Sequence, residues 1–366
     1  MALLPGRDLS ETLEEVVLTV RGSNRERLDR YLQRKLGWSS RTKVQRLVTL
    51  GRVTVNERPG KPAMKVGRGD VVHVRLLIEL SIFEEHPPLS TPVWEDPYLL
   101  AVSKRSGQLV HPTGKTVLGT VIDEVHTRYK ELNERGSRPV LARLCHRLDR
   151  DTSGLLLIAK TIELRRAIQV AFEANQVRKG YIAVVEGECA DDEFEVDAAI
   201  VDHIDRQRAH SNRLARLDDS GRASLTQFSV IGRFPAGHSV GAAGAEGVGG
   251  QGFSVVHCRP ITGRQNQIRI HLASKGHPIL GDTGYGSDPS AVDLPDELTF
   301  PDRALLHSFQ LRFRHPVWGT QRELRAPVAA DLRPFLLAAG VEEREVPTFA
   351  PLASPPEWPR VRNDEE

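Results

Sequence analysis

Apolar positions near the amino terminus recur at helical spacing. Leu28, Leu32 and Leu36 are four residues apart, which predicts one buried helix face with basic residues outside it. A second short helix follows and ends at Gly51, a favourable residue just beyond a helix end. Alternating valines after it predict short strands. The pattern therefore predicts a small α+β module over residues 21–78.

The rest of the chain divides at changes in composition. Residues 1–20 carry an apolar patch without a predicted partner and stay an unassigned leader, and the prolines of residues 79–92 predict an extended linker. Apolar runs typical of strands alternate with helical stretches over residues 93–335, which predicts a larger domain of mixed α and β structure. A flexible glycine-rich insertion is predicted at 236–252, between two strands, and a disordered tail at 341–366.

Charge is distributed unevenly along the chain. The formal net charge is only +2 among 366 residues, which is too small to indicate a polyanionic partner by itself. Between Arg21 and Arg58, however, eleven Lys or Arg residues face three acids. A basic module of this kind is typical of proteins that contact phosphates.

The cysteines and the apolar runs indicate in which cellular compartment the protein is expected. Cys145, Cys189 and Cys258 are far apart and form no C-x-x-C pair, so the sequence predicts neither a disulfide framework nor a zinc site. No apolar run reaches the ~20 residues of a membrane span, and Met1–Ser10 lacks the pattern of a signal peptide. We expect a soluble cytoplasmic protein without a membrane partner.

The densest polar motif is HRLDRDTSG at residues 146–154, directly ahead of the apolar run Leu155–Lys160. Catalytic side chains concentrate on such loops because the strand fixes their position. A capped turn explains Asp151, whereas the accumulated charge favours a functional role for Asp149. A metal site made by His146, Asp149 and Asp151 is a weaker alternative.

A second motif extends from Thr262 to Leu272 (TGRQNQIRIHL). Ile268 and Leu272 are four residues apart and predict a helix face against the core, with Arg264 and Arg269 directed elsewhere. A solvated charged face and a phosphate- or carboxylate-binding site explain these arginines equally well.

A third motif is Lys179-Gly180-Tyr181, just ahead of a predicted strand. A tyrosine in this position is most often a half-buried packing residue with a hydrogen-bonded hydroxyl. The motif alone therefore indicates little about function.

Taken together, these motifs resemble the RluA-type pseudouridine synthase family, whose members modify uridines chiefly in large-subunit ribosomal RNA. The resemblance covers residues 93 to about 328. It is carried by Glu95-Asp96 and Leu99 to Gly107, the HRLDRDTSG segment, Lys179-x-Tyr181, the GRxxQIRxH segment from Arg264, Leu306-His307 and Phe313-Arg314-His315-Pro316. The spacing of HRLD and QIR is highly specific.

The basic amino-terminal module separately resembles the S-four type of RNA-binding domain. Its marks are Arg27-Leu28-Asp29, Ser40-Arg41 and Gly51-Arg52-Val53-x-Val55-Asn56. In this family such a domain often precedes the catalytic one.

The resemblance implies an α+β catalytic domain with a mixed, largely antiparallel central sheet, flanking helices and a central cleft. It implies Asp149 as the catalytic aspartate, Tyr181 as the ring that contacts the target base, and Arg269 as the ionic partner that keeps Asp149 ionised. It implies no cofactor and no metal. It implies structured RNA as the partner, 23S-type ribosomal RNA or a ribosomal precursor, and no obligatory protein partner. Expected RNA contacts are Arg147, Arg150, Lys179 and Arg264 around the cleft and Arg27, Arg41 and Arg52 in the amino-terminal module.

Two positions depart from the family pattern. Asn266 stands where the family usually has His, and Lys104-Arg105-Ser106-Gly107 replaces Lys-Pro-Ala-Gly. Two rival functions stay open at this point. One is a non-catalytic RNA-binding or ribosome-assembly factor on the same fold, and the other is a metal-dependent hydrolase, which a chelator would inactivate.

Overall fold

The structure is a computed structural model, and its described residues fall into two compact units. Described are residues 15–22, 24–36, 41–49, 51–75, 90–112, 119–135, 140–201, 216–237 and 250–349. The first unit takes its described residues from Met1–Ser90, Gln108–Leu144 and Ala159–Ile162, and the second from Thr91–Gly107, Cys145–Ile158 and Glu163–Glu366.

The first unit contains the small module predicted from the helical pattern. The elements of the small module are β1 (Glu15–Thr19), β2 (Glu26–Arg27), α1 (Leu28–Leu36), α2 (Arg41–Thr49), β3 (Val53–Val55), β4 (Arg58–Pro59), β5 (Lys65–Val66) and β6 (Val71–Arg75). The unit also contains α3 (Val121–Arg135) and β9 (Arg143–Leu144). Strands β1, β6, β3 and β4 form an antiparallel sheet in that order, and β2 pairs with β5. Leu28 and Leu32 are buried on α1 and share a core with Val44 and Leu47 of α2. Burial of this apolar face stabilises helices too short to persist alone.

Two predicted boundaries are wrong. Strand β1 pairs with β6, and Val16 and Val20 are buried in the core of the module, so residues 15–20 belong to it and not to a separate leader. This pairing joins segments far apart in sequence, which local patterns do not show. The linker prediction falls mostly on residues 79–89, outside the described residues, but Thr91 and Pro92 already belong to a strand of the second unit.

The second unit is built on one large sheet. Its elements are β7 (Thr91–Glu95), β8 (Leu99–Lys104), β10 (Ser153–Ala159), α4 (Ile162–Glu173), β11 (Arg178–Glu186), β12 (Glu193–Asp197), β13 (Ile200–Val201), β14 (Arg216–Leu217), β15 (Leu225–Phe234), β16 (Phe253–Pro260), α5 (Gln267–Ser274), β17 (Leu306–Arg314), β18 (Gln321–Arg325) and α6 (Arg333–Ala338). The strand order is β12-β15-β16-β11-β17-β10-β8-β7, with β18 paired to β17. Strand β10 runs parallel to β17. Each neighbouring pair is antiparallel along the part of the sheet ordered β12-β15-β16-β11-β17. The predicted α+β class with a mixed, largely antiparallel sheet is confirmed.

The two central strands of this sheet are buried along nearly their whole length. Every residue of β10 is buried, as are all but the last residue of β17, because both faces of these strands are covered. From Leu155 to Ala159 strand β10 is apolar, whereas β17 also buries polar side chains such as His307 and Gln310. Helix α4 instead buries one stripe that includes Leu164 and Ile168. No helix in the described part of the chain has the length and apolarity needed to cross a bilayer.

The units do not follow the predicted domain limits throughout. Residues Gln108–Leu144 group with the first unit, although the prediction placed them in a continuous domain from residue 93. The glycine-rich insertion does connect a strand pair, since β15 and β16 are antiparallel neighbours; its residues 238–249 lie outside the described residues.

The predicted disordered tail is wrong for residues 341–349. Val341, Val346 and Phe349 are buried, and the buried Arg312 donates a hydrogen bond to the carbonyl of Phe349. These apolar side chains anchor the segment to the fold. The prediction of disorder rested on the Pro and Glu content of the segment and did not take them into account. Residues 350–366 lie outside the described residues.

Candidate active site

Asp149 lies on the loop between residues 146 and 152, immediately before β10. The loop turns on itself through a hydrogen bond from the Thr152 amide to the Asp149 carbonyl (3.2 Å). Lys104, buried beneath it at the end of β8, donates to the carbonyl of Arg150 (2.8 Å). Burial lowers the pKa of Lys104 to about 7. The departure from the family pattern at 105–106 leaves this lysine contact in place.

A second buried cation donates to the same loop. Arg303, 6% exposed, donates to the carbonyl of Asp151 (2.9 Å) and approaches the hydroxyl of Ser153 (3.4 Å). Its other nitrogens form a bidentate pair with Asp331 (2.6 and 2.7 Å). Bidentate charge-assisted bonds fix orientation as well as distance. The polypeptide just before α6 is thereby tied to the Asp149 loop.

The carboxylate of Asp149 faces one arginine. Oδ2 of Asp149 lies 3.9 Å from Nη1 of Arg269, and the two side chains are 28% and 20% exposed. Burial raises the pKa of Asp149 above its ordinary value, while Arg269, Arg147 and Lys104 oppose this rise. Among the charges that favour the ionised form Arg269 has the largest effect, as expected of an ionic partner, but desolvation has a larger effect on the pKa of Asp149.

Arg269 is oriented chiefly by a residue that the sequence did not single out for this task. Asp282 accepts two hydrogen bonds from Arg269, at 2.6 Å from Nε and 2.7 Å from Nη2, and its own side chain is buried. The guanidinium also lies over the ring of Tyr285, 4.8 Å from its centroid. Asp282 leaves Nη1 directed toward Asp149. Asp282 ends the segment GHPILGD (residues 276–282), and no local pattern in the sequence indicates that it pairs with Arg269.

The contacts of Asn266 explain how this residue fits at a position where the family usually has His. It precedes α5 in a left-handed conformation (φ 54°), which Asn tolerates better than most residues. Its side-chain oxygen accepts from Arg269 Nη1 (3.1 Å) and its amide donates to the Tyr285 hydroxyl (3.0 Å). This residue therefore helps to support the arginine of the site.

Tyr181 is positioned by a break in strand register. Strand β11 shifts its pairing with β17 between Gly180 and Tyr181, and Tyr181 lines the same cleft as Asp149 with 9% of its surface exposed. A side chain at Gly180 would press against His257 and Gln310, at 3.0 and 3.2 Å from its Cβ. Burial raises the pKa of the Tyr181 hydroxyl, so the phenol stays protonated at neutral pH.

Three of the four cations predicted around the cleft do line it. Arg147 is exposed there, Lys179 donates to the carbonyl of Thr262 (2.8 Å), and Arg264 donates to the carbonyl of Ala223 (3.1 Å). Burial lowers the pKa of Lys179 to about 8. Arg150 does not line the cleft and instead forms an exposed ion pair.

The predicted contacts of the first unit belong to the small module. Arg27 forms an ion pair with the buried Asp29 (3.0 Å), so part of its charge is compensated within the fold. Arg52 lies half-buried just before β3, and Arg41 is the first residue of α2.

The metal-site alternative does not fit the geometry. Nε2 of His146 accepts a hydrogen bond from the amide of Leu157 (3.0 Å), and burial lowers the pKa of this imidazole to about 3. Asp151 pairs with Arg150 through both carboxylate oxygens (2.9 and 3.2 Å). Across the described ranges, no three His, Cys, Asp or Glu residues lie close enough to hold a metal ion.

Comparison with known proteins identifies the family of the chain and a separate amino-terminal domain. The family model for RNA pseudouridylate synthase matches residues 98–274, and the S4 domain model matches residues 26–72. Ribosomal large subunit pseudouridine synthase C of Pasteurella multocida is 30% identical over 323 residues (85% of this chain, 89% of the relative). Ribosomal large subunit pseudouridine synthase D of Nitrosomonas europaea is 30% identical over 318 residues (85% and 84%). Human RNA pseudouridylate synthase domain containing 4 shares the fold, with a TM-score of 0.50 and 22% identity over 69% of this chain and 94% of that one. The chain belongs to the RNA pseudouridylate synthase family and carries an S4 domain ahead of its catalytic region.

Proposed function

We propose that the protein isomerises uridine to pseudouridine in large-subunit ribosomal RNA or its precursor, with Asp149 as the catalytic residue. The observation that carries the proposal is the Asp149–Arg269 pair in a cleft that Tyr181 also lines. The relatives named for the large ribosomal subunit support the choice of RNA. Cys145, Cys189 and Cys258 are buried and form no disulfide with one another, which supports a site of action in the reducing cytoplasm.

The reaction breaks the bond from C1′ to N1 of uracil, turns the base and forms a bond from C1′ to C5. The C5 proton then leaves to solvent, and N1, freed from the sugar, takes up a proton in its place. Atoms and electrons balance without any oxidant or reductant, so the reaction requires no redox cofactor. Asp149 acts as the ionised carboxylate and either attacks C1′ or removes a proton from the sugar.

The target nucleotide must leave its stack to reach Asp149. Extrusion of a nucleotide costs a few kcal/mol and is offset by contacts to the flipped base. Tyr181, whose hydroxyl stays protonated, supplies an aromatic ring at the cleft wall that contacts the flipped base. Arg147, Lys179 and Arg264 line the same cleft, which supports them as contacts for phosphates of the opened strand.

The small basic module supplies a second contact with the RNA. Arg27, Arg41 and Arg52 belong to this module, whose family is that of an RNA-binding domain. Phosphate contacts of this kind add affinity that falls with salt and carry little sequence information. We expect no obligatory protein partner.

Release of tritium from C5 tests the proposal directly. The purified protein is incubated with transcripts labelled at uridine C5: large-subunit ribosomal RNA, small-subunit ribosomal RNA and transfer RNA. We expect release from the large-subunit transcript in the presence of chelator. Binding without release from any transcript would favour the rival function of a non-catalytic RNA-binding factor.

Loosening the buried Arg303 should slow catalysis from a distance. Asp331→Asn weakens the bidentate pair that orients Arg303, while Arg303 keeps its bond to the carbonyl of Asp151. We expect kcat to fall about tenfold with little change in KM, because the loop that carries Asp149 loses precision. Asp192→Asn breaks an exposed pair with Arg233 and serves as the control. Equal kcat in both variants would show that Arg303 does not position the loop.

The raised pKa of Asp149 predicts the acid side of the pH profile. A carboxyl whose pKa is raised by burial loses its charge at a higher pH than usual, so kcat/KM should fall on acidification with a midpoint above 3.8. Arg147 opposes the raised pKa, and Arg147→Gln should therefore move this midpoint further up. Arg166→Gln, on the exposed side of α4, should not. A midpoint at or below 3.8 in the wild type would contradict this assignment.

A further inference from the structure

The cleft extends beyond the catalytic groups along the end of α4. Gln169, Phe172 and Glu173 lie at positions i, i+3 and i+4 of this helix, and all three line the same cleft as Asp149. Residues with this spacing share one helix face. The wall therefore combines an aromatic ring, an amide and a carboxylate, none of which the isomerisation itself uses.

Phe172 is held as a rigid platform. Its ring is half-buried and packs against the imidazole of His146, with centroids 4.9 Å apart and planes at 37°. His146 cannot turn freely, because its Nε2 accepts the amide proton of Leu157. A fixed aromatic ring beside a cleft that admits RNA is suited to stacking on an unpaired base.

Glu173 is the unusual charge in this wall. Apart from Asp149 it is the one acid among the residues that line the cleft, where Arg147, Lys179 and Arg264 are cationic. Within the described residues the side chain of Glu173 forms no hydrogen bond or ion pair. A carboxylate repels phosphate, but it accepts hydrogen bonds from the amino groups of bases.

We propose that Gln169, Phe172 and Glu173 form a second nucleotide subsite, which binds the base of a nucleotide flanking the target uridine. Phe172 stacks on that base, and Glu173 with Gln169 accepts hydrogen bonds from its edge. The subsite prefers a base with an exocyclic amino group over uracil. This inference rests on the proposed function, since it assumes that RNA enters the cleft for reaction at Asp149.

The test compares Phe172→Leu and Glu173→Gln with the wild type on an unmodified large-subunit transcript. Phe172→Leu keeps apolar bulk and removes the aromatic face. KM for tritium release should therefore rise about tenfold, and kcat should fall by a smaller factor. Glu173→Gln should reduce discrimination when each nucleotide flanking the modified uridine is replaced in turn by U. Val170→Ala, exposed on the same helix, and Glu193→Gln, exposed on β12, are the matched controls.

Unchanged KM for Phe172→Leu together with unchanged flanking preference for Glu173→Gln would overturn the subsite while leaving the synthase activity intact. If the wild type releases no tritium, the proposed function fails, and the subsite is then judged by binding. In that case the Kd of the same transcript should still rise about tenfold in Phe172→Leu, and an unchanged Kd would overturn it.

Discussion

Asp149→Asn should abolish tritium release from uridine-labelled RNA, with a fall in kcat of at least about 10,000-fold. The amide is nearly the same size as the carboxylate but can neither attack C1′ nor take a proton from the sugar. Arg269, Tyr181 and the cleft cations remain in place, so RNA affinity should change little. Single-turnover release and RNA-binding titration on the same transcript separate the two effects.

Stability serves as the control for this variant. Burial penalises the ionised form of Asp149, as its raised pKa indicates, so at neutral pH the neutral amide should not lower the melting temperature. The stability that a raised carboxyl pKa provides belongs to the protonated form and is lost as pH rises through that pKa. If the Asp149→Asn protein folded normally and stayed active, Asp149 would not be the catalytic residue.

Asp282→Asn should produce the second-largest loss, about 100-fold in kcat/KM. The substitution removes the charge that anchors Arg269 through two hydrogen bonds, and Nη1 of Arg269 then loses its fixed direction toward Asp149. A displacement of about 1 Å at a reacting group is enough for a loss of this size. Steady-state kinetics of tritium release measures it.

A matched change in the same loop separates orientation from general damage. Asp288 is exposed and caps a short turn through the amide of Ser290, so Asp288→Asn keeps the Arg269 contacts. We expect it to retain wild-type activity. If Asp282→Asn matched this control, Arg269 would not depend on Asp282 for its position.

The sequence predicted those features that depend on local pattern. The strand after HRLDRDTSG and the helix through Ile268 and Leu272 are both present, because continuous apolar runs and four-residue spacing each allow few structures. Mixed α and β structure was also predictable from the alternation of such runs, whereas the largely antiparallel sheet was expected from the family resemblance. Asp149 stood out because charge on a loop ahead of a buried strand exceeds what a turn needs.

Contacts between distant segments were not predictable from these patterns. Asp282 meets Arg269 across thirteen residues, and Arg303 reaches Asp151 across 152, so neither pairing leaves a local periodicity. Strand β1 was missed for the same reason, because its partner β6 follows more than fifty residues later. The Asp149 pKa depends on burial and on three cations together, a balance that only the folded arrangement defines.

Nucleoside analysis of a large-subunit ribosomal RNA transcript tests the central claim most directly. The unmodified transcript is incubated with wild-type protein or with Asp149→Asn, without added cofactor, then digested and separated. The account predicts pseudouridine formed in a fixed ratio to transcript by the wild type and none by Asp149→Asn. Pseudouridine from both proteins, or from neither while the wild type binds the transcript, would contradict it.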